Sequence, residues 1–272
     1  MNVLIPYNFS ESAIRALNFT KKLFKNQPIK IVLLDVYISN KSLLLSTEQN
    51  KKWFNEVEYE LTDELKYLIE ILNREESTFI YEYKVDSNSL IKSIHKTILE
   101  KDINLIISGT SGVNNIQGSS KATNTLTIIE NIKHCPIIVV PEKYKFKNIN
   151  RLVFPTNFKR AFIAKELKML TLISIVNNYS IEVLDTSKIN ELDNEQVTNK
   201  LQLQDLLDDL NHSNNQLKSR NLINYLEEIG DGLSVFTRYK LNIIERYFKE
   251  DLIKELTLQG NTPILVLPDF SK

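Results

Sequence analysis

The amino-acid sequence predicts an α/β protein made of two tandem copies of one unit, each with a doubly wound parallel sheet. Short apolar, β-branched runs alternate along the chain with amphipathic stretches, which is the pattern of parallel strands covered by helices on both faces. The segment 2–9 returns as 151–158, and the segment 136–141 returns as 263–268. Matching first strands and matching last strands indicate a duplication.

Length and composition fit two globular domains. The 272 residues are enough for two domains that each bury a core. A hydrophobic fraction of 42% and a charged fraction of 25% are those of a soluble globular protein. The formal net charge is zero, from 34 basic and 34 acidic side chains, which argues against a nucleic-acid partner.

Cysteine usage and hydropathy bear on the compartment. Cys135 is the single cysteine, so no internal disulfide framework is expected and a reducing environment fits. The sequence has no signal-peptide pattern and no apolar run long enough to span a bilayer. We therefore expect a cytoplasmic protein without a membrane partner.

In the first copy the pattern predicts five strands, at about 2–6, 29–37, 78–85, 103–108 and 136–140. Helices are expected at about 10–25, 47–73, 88–101 and 123–133. Either Ser10 or Asn8 can cap the first helix, and Glu11 adds negative charge to its first turn. A stripe at helical spacing predicts that the second helix packs one face on the core; it comprises Trp53, Val57, Leu61, Leu65, Leu68 and Leu72.

The second copy follows the same scheme less clearly. Strands are expected at about 151–155, 180–186, 232–237 and 263–267, with helices at about 160–177, 196–211, 219–229 and 245–258. Its third strand is obscure, and 214–219 is the only candidate. The predicted domains are 1–141 and 151–272, joined by a polar linker at 142–150.

A cluster of glycines is the best clue to function. Gly109, Gly112 and Gly118 are three of the six glycines, and they lie between an apolar strand and a helical stretch. A helix N-terminus behind a small-residue loop can hold a phosphate, because its backbone N–H groups and its dipole favour an anion. Ligands of parallel sheets settle beyond the carboxyl ends of the strands, so the turn at 6–8 should lie at the same edge. A plain surface connection is the alternative interpretation.

On these residues the chain resembles the universal stress protein family in its tandem form. That family carries Pro-Thr-Asp-Phe-Ser after its first strand, where this chain has Pro-Tyr-Asn-Phe-Ser at 6–10. Its nucleotide-binding members carry Gly-x-x-Gly, nine residues, then Gly-Ser or Gly-Thr; here Gly109 and Gly112 are followed by Ala122 and Thr123. The resemblance implies Rossmann-like, adenine nucleotide alpha hydrolase-like sheets with strand order 3-2-1-4-5, and ATP with Mg²⁺ as the ligand.

The resemblance also implies the nucleotide-binding residues. Around the phosphates and ribose they are Ser108, Gly109, Gly112, Ala122, Thr123, Asn124 and Thr125, and around the adenine they are Pro6, Tyr7, Asn8 and Val36. Two departures weaken the match, since Asn8 replaces the family's aspartate and Ala122 replaces its third motif glycine. A Cβ at that position costs on the order of 1 kcal/mol or blocks contact with a phosphate.

The second copy has lost the glycines. Counting back from Pro263 without a gap places Phe236 against Gly109 and Glu250 against Thr123. A carboxylate would then face the position of the phosphates and repel them. The second copy is therefore expected to be empty of nucleotide.

Three functions are compatible with these observations. The first is a cytoplasmic stress-response protein that binds ATP in its first domain and acts through conformation or assembly. The second is a nucleotide-free interaction scaffold that has lost its ligand site, and the third is a slow ATPase. No nucleophile–base spacing or metal-ligand spacing stands out, and His134 with Cys135 falls at a probable helix end, so we expect no enzyme beyond weak ATPase activity.

Duplication bears on assembly as well. Two like units on one chain can pack as an intramolecular pseudo-dimer, which the family often forms through its last strand. Both last strands, 136–140 and 263–267, are apolar enough to be buried. Pairing of two such chains into a homodimer is left open.

Overall fold

The computed structural model describes residues 1–37, 47–75, 78–110, 121–187, 192–217, 222–238, 253, 255–257, 260–268 and 270. Over these residues the strands and helices follow the predicted order, whereas most of the helix expected at 245–258 lies outside the described residues. The chain separates into two compact units, Met1–Ser108 and Gly109–Lys272.

The first unit is a parallel sheet with its connecting helices. Its elements are β1 (Asn2–Pro6), α1 (Glu11–Leu23), β2 (Lys30–Val36), α2 (Thr47–Arg74), β3 (Ile80–Asp86), α3 (Leu90–Glu100) and β4 (Leu105–Gly109). Val3 is the register partner of Ile31 on one side and of Leu105 on the other, and β3 pairs with the far side of β2. The strand order is therefore 3-2-1-4, with every described pair parallel.

The central strands are apolar throughout because helices cover both of their faces. The buried side chains at their middles are Val3, Leu4 and Ile5 of β1, Ile31, Val32, Leu33 and Leu34 of β2, and Leu105, Ile106 and Ile107 of β4. β3 is the outer strand in the described order, and it carries Glu82 and Lys84 with Ile80 61% exposed. Charged side chains on such a strand discourage pairing with another chain. The first helix begins at Ser10, whose Oγ accepts from the Ala13 N–H at 3.3 Å, so Ser10 rather than Asn8 is its N-cap.

The apolar stripe of α2 is only partly buried. Leu65 and Leu72 are buried as predicted, but Trp53 is 44% exposed, so the prediction is wrong for the start of the stripe. The helix has 28 residues and a length of about 42 Å. The strands β2 and β3 have seven residues each and extend about 23 Å. A helix longer than the sheet it covers leaves part of its stripe without a strand beneath it.

The second unit holds the end of the first copy and the whole of the second. Its further elements are α4 (Lys121–Asn131), β5 (Ile137–Val140), β6 (Arg151–Thr156), α5 (Ala164–Asn177), β7 (Ser180–Asp185), α6 (Asn194–Leu207), β8 (His212–Gln216), α7 (Leu222–Ile229), β9 (Gly232–Thr237) and β10 (Ile264–Leu267). The strands lie in the order β5-β10-β9-β6-β7-β8. Neighbours are parallel except for the antiparallel pair of β5 with β10.

The duplication is confirmed by the strand order. In the second copy β8, β7, β6, β9 and β10 are neighbours in the order 3-2-1-4-5. In the first copy the Thr110 N–H, directly after β4, donates to the Val140 carbonyl at 3.0 Å and places β5 beside the end of β4. The Arg238 N–H after β9 donates in the same way to the Leu267 carbonyl at 3.2 Å. The predicted fold class therefore holds for both copies.

The obscure third strand of the second copy is β8, which lies slightly earlier than the candidate 214–219. Its sequence His-Ser-Asn-Asn-Gln is polar at every position, and its last four side chains are exposed. Since β8 is the outermost described strand of this sheet, neither of its faces needs an apolar pattern. This strand therefore has no pattern of hydrophobic residues by which the sequence could reveal it.

The last strands of the two copies pair with each other. Ile137 is opposite Val266, Ile138 is opposite Leu265, and all four of these side chains are buried. This pairing places β5 in the same compact unit as the second copy. The predicted linker 142–150 lies between β5 and β6 inside that unit, and the assignment of 1–141 and 151–272 as domains stays a prediction.

Gly260 marks a close approach of backbone to backbone. Its N–H donates to the Leu256 carbonyl at 3.1 Å, and a Cβ at this position would lie 2.4 Å from the same oxygen. We expect Gly260→Ala to lower the free energy of unfolding by about 1–3 kcal/mol, because the backbone must shift. Urea denaturation measures the change as a lower midpoint.

Gly232→Ala is the matched control. Its Cβ would meet the Ile229 and Val153 methyl groups at 3.1 and 3.3 Å and the Arg151 Cγ at 3.9 Å, and side chains can move. A smaller shift of the midpoint is expected. Equal midpoints for Gly260→Ala and the unchanged protein would contradict the steric argument.

Candidate functional site

The predicted adenine-side residues lie at one edge of the first sheet. Pro6 ends β1, Val36 ends β2, and Tyr7 and Asn8 follow β1 directly. Ser108, the predicted neighbour of the phosphate loop, is buried near the end of β4. Since these strands are parallel, their carboxyl ends share an edge, which is where ligands of such sheets bind.

In the turn after β1, Tyr7 is buried and Phe9 is exposed. Tyr7 is buried, its N–H donates to the Leu34 carbonyl at 2.8 Å, and burial raises the pKa of its hydroxyl. Its ring meets the Phe9 ring edge-on, with 5.2 Å between the centroids. Phe9 has a left-handed backbone (φ 55°) and is 37% exposed. Phe158, its equivalent in the second copy, has φ 56° but is buried.

Asn8 presents hydrogen-bond donors to its surroundings. Its Oδ1 accepts from the Ser10 Oγ at 2.6 Å and from the Ser10 N–H at 3.4 Å. A backbone N–H can only donate, so the oxygen of the amide must face Ser10 and the NH₂ must face the other way. The loss of the family's carboxylate is therefore more than a loss of charge, because the acceptor that remains is engaged within the turn.

Asp35 at the end of β2 is a buried acid that the motif comparison missed. It is 5% exposed, and its Oδ1 accepts from the Val36 N–H at 2.7 Å. Burial raises the pKa of this carboxyl to about 6, the Val36 hydrogen bond opposes the rise, and Glu64 of α2 adds to it. The signal in the sequence was a single charge at the end of an apolar run, Ile31 to Leu34.

Apart from Ser108, the residues predicted to surround the phosphates lie in the second compact unit, from Gly109 onward. The Thr125 Oγ1 donates to the Gly109 carbonyl at 3.0 Å, so the first turns of α4 lie against the end of β4. Thr125 is buried, whereas Asn124 is exposed. Gly112 lies outside the described residues, as do the side chains of Ala122 and Thr123. What the structure places here is a helix N-terminus beside a strand end; the glycine-containing segment 111–120, which connects them in the sequence, lies outside the described residues.

The same place in the second copy carries side chains instead of glycine. Strand pairing sets Val3 opposite Leu105 and Leu152 opposite Leu233, which makes Gly109 equivalent to Thr237 and Thr110 equivalent to Arg238. The gapless count that placed Phe236 against Gly109 is therefore wrong by one residue. The second copy has one residue fewer between its fourth and fifth strands.

Side chains of α6 cover the first turn of the second copy. The Gln196 Nε2 donates to the Asn157 carbonyl at 2.7 Å, and the Asn199 Nδ2 donates to the Phe158 carbonyl at 2.9 Å. The Lys200 ammonium lies 5.2 Å from the centroid of the Phe158 ring and 3.4 Å from an oxygen of Asp185. The turn that would wall an adenine is occupied by the protein itself.

Metal binding, nucleophilic chemistry and membrane insertion have little support in the described part of the chain. No group of three or more His, Cys, Asp or Glu side chains among these residues could hold a metal ion. Cys135 is 5% exposed, and burial raises the pKa of its thiol to about 12, which outweighs the opposing effect of Arg238. Such a thiol is not a nucleophile. None of the described helices is both long and apolar enough to cross a membrane.

Comparisons with known proteins identify the fold. No protein-family model and no curated protein matches the sequence. Among solved structures, a universal stress protein from Archaeoglobus fulgidus DSM 4304 superposes with a TM-score of 0.64 at 11% identity, over 98% of this chain and 96% of that chain. A functionally unknown protein from Pseudomonas aeruginosa PAO1 gives a TM-score of 0.57 at 12% identity, over 98% of this chain and 92% of that chain.

The chain has the universal stress protein fold. The predicted resemblance is confirmed at this level, and the match covers both repeats because almost the whole of each chain superposes. The cytoplasmic domain of a prokaryotic cation chloride cotransporter has the same architecture, with a TM-score of 0.53 at 10% identity over 98% of this chain and 95% of that chain. Since one fold occurs in such different proteins, function has to be argued from the site.

Asp35→Asn should change how stability depends on pH. The folded-state pKa is about 6 against an ordinary 3.8, so the folded protein binds this proton more tightly than the unfolded chain does. The stabilisation is complete below the ordinary pKa and is lost as the pH rises through about 6. We therefore expect the variant to be more stable than the unchanged protein by about 1–3 kcal/mol at about pH 8, and equal to it at about pH 4, in urea denaturation.

Asp185→Asn is the matched control, because Asp185 ends the equivalent strand β7. Its oxygens accept from the Ser187 N–H at 2.9 Å and face the Lys200 ammonium at 3.4 Å. Removing this charge leaves a cation without its partner, so the control loses stability at about pH 8. A loss of stability in Asp35→Asn at the same pH would contradict the assignment.

Cys135 should be unreactive in the folded protein. With a pKa of about 12 and 5% exposure, it offers almost no thiolate to a reagent. We expect no labelling by a chromogenic disulfide reagent at neutral pH and complete labelling in urea. The variant His134→Cys, at the adjacent exposed position, should label quickly at its new thiol. Rapid native labelling of the unchanged protein would show that the thiol is accessible.

Proposed function

We propose that this chain is a stress-response protein that binds ATP, with Mg²⁺, in its first repeat and acts through conformation or assembly. The observation that carries the proposal is the hydrogen bond from the Thr125 Oγ1 to the Gly109 carbonyl at 3.0 Å. It holds the N-terminus of α4 at the carboxyl end of β4, and the glycine-containing segment lies between these two elements in the sequence. Backbone N–H groups of a helix start are available to anionic ligands at such a place.

The second repeat supports a stoichiometry of one nucleotide per chain. Thr237 and Arg238 replace Gly109 and Thr110 there, and the Gln196 and Asn199 amides occupy the carbonyls of the first turn. Arg160 at this edge is also engaged, since it pairs with Glu166 at 2.8 Å. A nucleotide would have to break these internal contacts before it could bind.

The proposal excludes efficient catalysis. Tyr37, directly after β2, donates its hydroxyl proton to Glu58 at 3.2 Å, so that proton is engaged with a carboxylate of this chain. A general base needs a proton donor or a substrate within hydrogen-bond reach. A turnover assay with Mg²⁺ and ATP tests the slow-ATPase alternative, which requires hydrolysis that disappears with Gly112→Val.

Titration calorimetry and native mass spectrometry test the proposal directly. The full chain should bind one ATP, and Gly112→Val should abolish binding because added side-chain bulk closes the loop to phosphate. Thr237→Val, a nearly isosteric change at the equivalent strand end of the second repeat, should leave binding unchanged. Two bound nucleotides, or none at millimolar ATP, would refute the proposal.

An interaction scaffold without a ligand is the second candidate. It is favoured by the engagement of Asn8 with Ser10, which satisfies the retained acceptor of the predicted site internally. It predicts an unchanged melting temperature with ATP. By contrast, a ligand at a hundred times its Kd would add about 2.7 kcal/mol to the free energy of unfolding.

A further inference from the structure

The helix α4 is held at its two ends by different repeats. At its beginning the Thr125 hydroxyl donates to the Gly109 carbonyl of the first repeat at 3.0 Å. At its end the Ile132 carbonyl accepts from the Nη1 of Arg238, which follows β9 of the second repeat. The last carbonyls of a helix lack partners within it and carry partial negative charge. An arginine side chain offers these carbonyls both hydrogen-bond donors and a positive charge.

A second contact holds the segment directly after α4 in place. The His134 ring stacks on the Phe270 ring, with 6.4 Å between the centroids and 19° between the planes. Phe270 is itself fixed to α5, because its N–H donates to the Glu166 Oε1 at 3.1 Å and the Lys165 ammonium lies 4.2 Å from its ring centroid. The buried Glu166 accepts from Arg160 with its other oxygen at 2.8 Å.

Both contacts come from the carboxyl edge of the second repeat. Arg238 is the equivalent of Thr110, since each follows its fourth strand and donates its N–H to the end of the fifth. Phe270 follows β10 by three residues. In the first repeat the glycine-containing segment 109–118 follows this edge in the sequence, and in the second repeat the same edge holds α4, the helix that comes after that segment.

We propose that α4 couples the two repeats, with Arg238 and Phe270 as positioning residues for its first turn. Order at the carboxyl edge of the second repeat then stabilises the N-terminus of α4, which follows the glycine-containing segment 109–118 in the sequence. By linkage, a phosphate bound at that N-terminus stabilises the same edge in return. The ligand half of this statement rests on the proposed function, whereas the coupling along the helix does not.

Hydrogen exchange of the ligand-free full chain tests the coupling by itself. The last residue of α4 is about 16 Å from its first, since the helix has 11 residues. In Arg238→Met we expect faster amide exchange along 121–135, including the first turn at 121–125. Arg238→Lys keeps a donor and a charge, so it should restore much of the protection. Phe270→Ala gives an independent variant with the same expected pattern.

Arg151→Met is the matched control in the same unit. Arg151 pairs with Asp231 at 2.9 Å and with Glu182 at 3.4 Å. It is the first residue of β6 and therefore lies at the amino end of the strand, away from the carboxyl edge that contacts α4. Its loss costs general stability and should leave the relative protection of 121–125 unchanged. Faster exchange confined to 130–135, or the same pattern in Arg151→Met, would overturn the coupling.

Calorimetry with ATP separates this proposal from the proposed function. If the unchanged protein binds ATP, Arg238→Met should weaken binding about fivefold or more, and Arg151→Met should not. Equal affinity in Arg238→Met would overturn the coupling and leave the ATP function standing. If the unchanged protein binds no ATP, the proposed function fails, and the exchange experiment still decides whether the helix transmits order from one end to the other.

Discussion

The antiparallel pairing of β5 with β10 is the constraint on which the second unit depends. Both strands are buried, and each is the last strand of its repeat. A buried strand with an open edge would leave N–H and C=O groups without partners, which costs free energy for every group. Each last strand therefore needs a neighbour, and the other repeat supplies it. This explains why the compact unit begins at Gly109, ahead of α4 and β5, and runs through the segment expected to be a linker.

The hydrogen-bonding groups around the first turn have different partners in the two repeats. Phe9 and Phe158 share the same left-handed backbone, with φ of 55° and 56°. In the second repeat, amides from α6 donate to the carbonyls of Asn157 and Phe158. In the first repeat, Phe9 is 37% exposed and the Asn8 side chain folds back on Ser10. Buried polar groups need partners, and a repeat can provide them from its own side chains. The second repeat does so.

Much of the fold was predictable because its signals are local and repeated. Apolar runs located β1, β6, β9 and β10 within a residue or two, and the duplication identified the architecture before any contact was known. The misses have physical causes. β8 is polar because it is an outer strand, and the stripe of α2 exceeds the sheet beneath it. The equivalence of Thr237 with Gly109 required strand register, since a deletion of one residue is invisible to a gapless count. The roles of Gln196, Asn199 and Arg238 depend on tertiary contacts that no local pattern encodes.

A pair of aspartates connects the stability of the repeats with their proposed roles. Asp35 and Asp185 lie at the ends of the equivalent strands β2 and β7. In the second repeat Lys200 from α6 pairs with the carboxylate, whereas in the first repeat Glu64 from α2 adds a like charge. Within the described residues no ion pair neutralises Asp35, so its charge is costly at neutral pH. Natural proteins tolerate such costs mainly at functional sites. The repeat that retains the costly carboxylate is also the one that retains Gly109, Gly112 and Gly118 in its sequence, so the same half of the duplication combines a loss of stability with the glycines on which the proposed ATP site depends.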